Sequence, residues 1–161
     1  MKPLLFALGA ALMLASCVFE SPFEAAAKIP TDDKLLGVWE ETGTKDPDRM
    51  TVLQHSSNEY TIQYPGGDDA LYFRAFAVEI AGHSYIQTQL IGTRKGPVKP
   101  EDRKYHLFKA SLTDDTLSLR AIDPKVLGTE TGDTATLRAA LAKHLDDPDL
   151  FQKPGVFKRV K

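Results

Sequence analysis

The sequence predicts a mainly β domain: a small antiparallel meander barrel with one C-terminal α-helix before a last strand. Three observations carry this. Short runs alternating apolar and polar residues recur between residues 35 and 123, separated by turn formers. Pairing those runs as hairpins sets apolar residues against apolar residues. One stretch, after Asp133, changes its period from two to about 3.6. Closing the meander would remove the sheet edges that invite aggregation.

Residues 35–41 form the first strand; residues 49–55 and 60–64 follow, joined across Ser56-Ser57-Asn58. Pairing across that turn sets His55 opposite Tyr60, Leu53 opposite Ile62 and Thr51 opposite Tyr64. Val52, Gln54, Thr61 and Gln63 fall on the other face. Pro65-Gly66-Gly67-Asp68 turns the chain into a long strand over 70–80. A two-residue turn at Gly82-His83 then starts a strand over 84–91, in which Phe73, Ala75 and Ala77 share a face with Ile86, Thr88 and Leu90. The hairpin over 105–123 turns at Asp114-Asp115 and matches Leu112 with Leu117, Ala110 with Leu119 and Phe108 with Ala121. Its other face carries Lys109, Ser111, Ser118 and Arg120, as a solvated surface should. With Asp133 as N-cap, Leu137, Ala140, Leu141, His144 and Leu145 make one stripe of an amphipathic helix, stopped at Asp147-Pro148. Residues 156–160 are the last strand.

The N-terminus follows a different logic. An uncharged apolar run over 4–14 follows Lys2 and ends in Leu14-Ala15-Ser16-Cys17, which holds the only cysteine. The run is too short to span a bilayer, which takes about 20 residues, and has the length of a signal-peptide core. Glu20, Pro22 and Glu24 interrupt it well before an anchor helix is complete. Ala25-Ala26-Ala27 mimics a secretory cleavage site but lies too far past the apolar run. Leu14-Ala15-Ser16-Cys17 resembles the lipobox of bacterial lipoproteins. The resemblance implies a signal peptide over 1–16, cleavage before Cys17, lipid on its thiol, and acylation (palmitate) of the new N-terminus. Burying acyl chain is worth about 0.8 kcal/mol per CH₂, so two or three chains hold durably. Residues 17–33, with Pro22, Pro30 and an alanine run, read as the lipidated cysteine and a tether. Residues 34–161 read as a single domain. The lipoprotein resemblance carries a sorting analogy: Val18 is not the aspartate linked to inner-membrane retention in enteric species, which implies the outer membrane with the domain facing the periplasm, the inner membrane being the alternative.

Removing residues 1–16 takes away one charge, Lys2, and moves the formal net charge from −2 to −3. That balance gives no general affinity for nucleic acid. With Cys17 lipidated, no thiol is left for disulfides, thiolate catalysis or metal binding, so the core alone must hold the domain.

Gly37-Val38-Trp39 in the first strand resembles the G-x-W motif of lipocalins, and a helix before the last strand is similar to their plan. In that family a basic residue from a late strand packs over the tryptophan, a role open here to Arg159 or Arg120. The chain departs from the family in lacking a T-D-Y-like second motif and a disulfide.

No catalytic constellation emerges. His55, His83, His106 and His144 do not have metal-ligand spacing. Gly82-His83-Ser84 lacks a nucleophile elbow, and the paired aspartates at 32–33, 68–69 and 114–115 fall in turns. Neither an enzyme nor a cofactor is expected. Two features suggest binding. Tyr60, Phe73, Ala75, Ala77, Phe108 and Ala110 are predicted to face inward, small residues among aromatics that could leave a cavity for an apolar ligand. The connection over 92–104 carries Arg94, Lys95, Lys99, Arg103 and Lys104 against Glu101 and Asp102, and would meet anionic headgroups or a protein partner. The leading expectation is a non-enzymatic, membrane-anchored lipoprotein whose barrel takes a small apolar molecule. The rival is an interaction module of the cell envelope, such as an assembly factor or an inhibitor of an exported enzyme.

Overall fold

Eight antiparallel strands close into a barrel in the computed structural model, which describes residues 18–127 and 132–161. Residues 1–16, expected to be a signal peptide, and Cys17 lie outside the described residues. The strands are β1 (Gly37–Glu41), β2 (Arg49–Gln54), β3 (Tyr60–Gly66), β4 (Asp69–Ile80), β5 (His83–Thr93), β7 (Tyr105–Thr113), β8 (Thr116–Ala121) and β9 (Gly155–Arg159). Each pairs with the next, and β9 returns to β1 to complete the ring. A two-residue strand, β6 (Gly96–Pro97), doubles back on the end of β5. Between β8 and β9 come a single turn, α1 (Pro124–Leu127), and the helix α2 (Thr134–Lys143). The mainly β barrel with a helix before its last strand is thus the observed fold.

The β7–β8 hairpin has the expected register, Leu112 against Leu117, Ala110 against Leu119 and Phe108 against Ala121. The β2–β3 hairpin does not. Val52 faces Ile62 and Gln54 faces Tyr60, one residue away from the expected pairing. The Glu59 carbonyl accepts from the N–H groups of both His55 and Ser56, closing a three-residue loop instead of a four-residue one. A one-residue slip exchanges the faces of a strand. Met50 and Val52 therefore point inward with Tyr60, Ile62 and Tyr64, while Leu53 is 58% exposed. Between β4 and β5 the turn sits at Ala81-Gly82, one residue early. Both have positive φ (51° and 77°), as a tight two-residue hairpin turn requires. That moves the register by two, so the expected face survives: Ala77 pairs with Ile86 and Ala75 with Thr88.

Residues 18–33 are not a free tether. Phe19 and Phe23 are buried against the outside of the barrel. The Phe19 backbone exchanges two hydrogen bonds with Tyr105 (2.8 and 3.0 Å). The buried Gln87 side chain accepts from the N–H groups of Phe23 and Glu24 and donates to the Glu24 carbonyl (2.7, 3.1 and 2.9 Å). Farther along, Thr31 donates to the Ser57 carbonyl in the β2–β3 loop (2.9 Å). A strap with two aromatic anchors gains more by burial than by solvation, and its polar appearance in the sequence hides this.

Helix α2 begins where expected. Asp133 accepts from the Thr136 N–H (2.8 Å), and Leu137, Ala140 and Leu141 are buried. The helix lies over the outside of β4, β5 and β7, stitched to the strap by Thr134 to the Pro22 carbonyl (2.7 Å) and Arg138 to the Phe23 carbonyl (3.1 Å). These strands are therefore covered on both faces, and Phe76, Val78, Ile80 and Leu107 are buried although they point away from the barrel axis.

Candidate functional site

One end of the barrel is plugged. Trp39 is fully buried and donates through Nε1 to the Leu35 carbonyl (3.0 Å) in a 3-10 turn (Asp33–Leu35) that crosses the end. The Arg159 guanidinium of β9 stacks over the Trp39 ring at 4.3 Å and donates to the carbonyls of Leu36 and Lys34 (2.7 and 2.5 Å). Gly37 has φ +124°, and a Cβ there would stand 3.1 Å from Arg159 Nη1, so a glycine is needed for backbone and guanidinium alike. Arg120 takes no part; it stacks on Phe151 at 5.2 Å. The Tyr60 hydroxyl accepts from the Asp32 N–H (2.6 Å) and closes the same end.

Toward the other end the interior opens into a cavity of about 1000 Å³, at the top of the range of roughly 300–1,000 Å³ for small-molecule sites. Its wall is apolar, with Val52, Ile62, Phe73, Ile86, Phe108 and Phe157 prominent. Small inward residues, Ala110 and Ala121, leave the space unfilled. The mouth reaches solvent between the β1–β2 loop, the β3–β4 turn and the segment before β9, with Lys45, Asp46 and Lys153 on the exposed rim.

Just below the rim stand Glu41, Asp48 and Tyr64. Antiparallel pairing places the two carboxylates on adjacent strand ends, with Glu41 N–H bonded to the Asp48 carbonyl (2.9 Å). Desolvation pushes the Glu41 carboxyl above its usual range, and the Asp48 charge adds to the push. Tyr64 is 7% exposed, and its hydroxyl is sealed from water without a well-formed hydrogen bond. Burial first, then the Glu41 and Asp48 charges and a side-chain interaction with Asp48, push that phenol well above its ordinary range. On the opposite wall His106, 4% exposed, has Nδ1 3.5 Å from the Thr88 hydroxyl and lies between the rings of Phe73 and Phe108.

Of the residues expected to touch a ligand, Tyr60, Phe73, Phe108 and Ala110 line the cavity. Ala75 is buried within the wall, and Ala77, half-buried, lies outside the lining. Met50 and Val52 escaped notice because the expected β2–β3 register turned them outward. Glu41 could have been found: it stands two residues beyond Trp39 and so shares its inward face.

The basic connection is more ordered than its length suggests. β6 folds it back on β5, and Arg94 N–H bonds both the Asp69 carboxylate (2.8 Å) and the Ala70 carbonyl (3.1 Å). Arg103 donates to the Val98 carbonyl (3.1 Å) and Lys104 pairs with Glu20. Arg94, Lys95 and Lys99 are left exposed at the mouth end of the barrel. Among the described residues no group of three His, Cys, Asp or Glu could hold a metal ion, and no helix is long and apolar enough to cross a membrane. Comparison with protein-family models, curated proteins and solved structures gives no match.

Proposed function

We propose that this chain is a cell-envelope lipoprotein, anchored through Cys17, whose barrel binds a small apolar molecule and performs no chemistry on it. The observation that carries the reading is the apolar cavity of about 1000 Å³, open at one end and plugged at the other. The plug supports a lipocalin-like relationship: Gly37, Trp39 and Arg159 interlock as the G-x-W resemblance implies. The lipobox supports the anchor and the outer membrane as its site.

Titration with a neutral solvatochromic dye, Nile red, tests the binding reading. Saturable binding at one site is expected, and Ala110→Trp, which fills the cavity from its wall, abolishes it. Fluorescence that never saturates, or an unchanged titration with Ala110→Trp, overturns the reading. The anchor is tested separately by Cys17→Ser, which is expected to move the protein from detergent phase to aqueous phase; unchanged partitioning and mass would refute it.

The exposed cations Arg94, Lys95 and Lys99 beside the mouth favour one addition, a contact with anionic headgroups or an acidic envelope partner. Replacing all three with Ser is expected to weaken sedimentation with anionic vesicles, and equal sedimentation would rule out the headgroup contact.

A further inference from the structure

We infer that the molecule held in the cavity is a cationic amphiphile: an apolar chain in the barrel, headed by a protonated amine seated among Glu41, Asp48 and Tyr64. The inference rests on the binding reading above and assigns its ligand class. Below the rim the wall is apolar but for Thr88, beside His106, and Tyr60, whose hydroxyl is bonded at the plugged end, so the carboxylates and phenol near the mouth decide what head the cavity accepts.

Two features point to a head that brings donors. First, Glu41 and Asp48 stand together on neighbouring strands, half-buried, and the charge that Glu41 feels is that of another carboxylate, not of a cation. Partial desolvation beside a like charge disfavours the ionised form of Glu41, and a cation placed between the two side chains reverses the sign of that interaction. Second, the Tyr64 hydroxyl lines the same cavity and is cut off from water; the Asp48 carboxylate beside it interacts with it, but no hydrogen bond of normal geometry is formed. Buried polar groups are nearly always satisfied, and one left open in a ligand-sized cavity marks where a partner belongs. An ammonium has three donors and no acceptor. Here it finds three acceptors: two carboxylates and the phenolic oxygen.

The same groups reject the opposite head. A fatty-acid carboxylate would be placed against two carboxylates in a partly desolvated pocket, which is discrimination by repulsion. Lys45 and Lys153 on the rim cannot compensate, because both are exposed and their charges are screened by water and salt.

Competition against Nile red by decylamine and decanoate below their micelle concentrations and decanol below its solubility limit, at neutral pH, tests the inference on the full folded domain. Decylamine is expected to displace the dye at least tenfold more effectively than decanol, and decanoate less effectively than decanol. Glu41→Gln and Asp48→Asn are each expected to bring the amine to within about threefold of the alcohol. That ratio is read within one variant, so a general loss of folding cannot mimic the result. An amine no better than decanol, or a decanoate preference, overturns the headgroup assignment while leaving the apolar site standing. A barrel that takes neither the dye nor any of the three probes overturns the binding reading and the assignment together.

Discussion

The inside and the outside of this barrel are packed to different ends. Apart from Trp39 in the plug and Gln87 under the strap, the largest fully buried side chains all belong to the outer cluster: Phe23, Ile80, Leu107, Ile122, Leu127, Leu137, Leu141, Leu150 and Val78. The inner cluster, from Met50 and Val52 to Phe73 and Phe157, is ringed by half-buried residues such as Ile62, Ile86 and Leu119 that face open space. The domain is therefore held from outside, by a helix and a strap pressed on β4, β5 and β7. That arrangement frees the interior to stay hollow, since stability no longer depends on filling it.

Substitutions at equivalent chemistry on the two sides sharpen the contrast. The largest effect is expected for Phe23→Ala, which empties a fully buried position in the outer cluster. It should cost about 3–5 kcal/mol in denaturant unfolding, and a cost below about 1 kcal/mol would show that the strap is not part of the core. Arg159→Ala, which removes the stacking over Trp39 and the two carbonyl bonds, should cost about 2 kcal/mol. Enlarging small residues separates the regions directly. Ala140→Leu, on the buried face of α2, should cost about 1–3 kcal/mol by overpacking. Ala110→Leu, on the cavity wall, should change stability by less than about 1 kcal/mol while weakening dye binding. Equal costs at the two sites would contradict a packed exterior and an open interior.

The smallest effects are electrostatic and have opposite signs. Outside, Glu59 is paired with Arg74, whose hydrogen bond and charge hold the carboxyl below its usual range. Its share of stability is present above the ordinary glutamate range and is lost as pH falls through the lowered value. Glu41, raised by burial and Asp48, binds its proton more tightly in the fold, so its penalty grows as pH rises through the mild-acid range. Glu59→Gln should lose, and Glu41→Gln should gain, less than about 1 kcal/mol at neutral pH. Unfolding curves at pH 4 and pH 7 for both variants distinguish the signs; Glu41→Gln being the less stable protein at neutral pH would break the reading of the mouth.

How much was legible in the sequence follows the same division. The β7–β8 hairpin was readable because its alternation is strict and its turn is two residues long, so pattern and turn agree on one register. The β2–β3 hairpin was not, because Thr51 and Leu53 alternate as plausibly as Met50 and Val52. The deciding hydrogen bonds, His55 and Ser56 to the Glu59 carbonyl, belong to the loop backbone. The outer cluster left a clear trace in α2 but almost none in the strap, where Phe19 and Phe23 sit among proline and glutamate. At the mouth, Tyr64 stands on β3 and Asp48 just before β2, in one local hairpin, so the one-residue difference in the β2–β3 register is what hid their common inward face.

The pinning of Phe19 has a geometric consequence. Its backbone is bonded to Tyr105, where β7 begins, at the end of the barrel where the cavity opens. One residue, Val18, separates Phe19 from Cys17, a leash of at most about 7 Å between their Cα atoms. If Cys17 is lipidated as proposed, the domain cannot swing freely above the bilayer; it is moored by its rim, aperture toward the headgroups. An amphiphile leaving the membrane would then enter the protein almost without crossing bulk water, and one leaving the protein would return by the same short route.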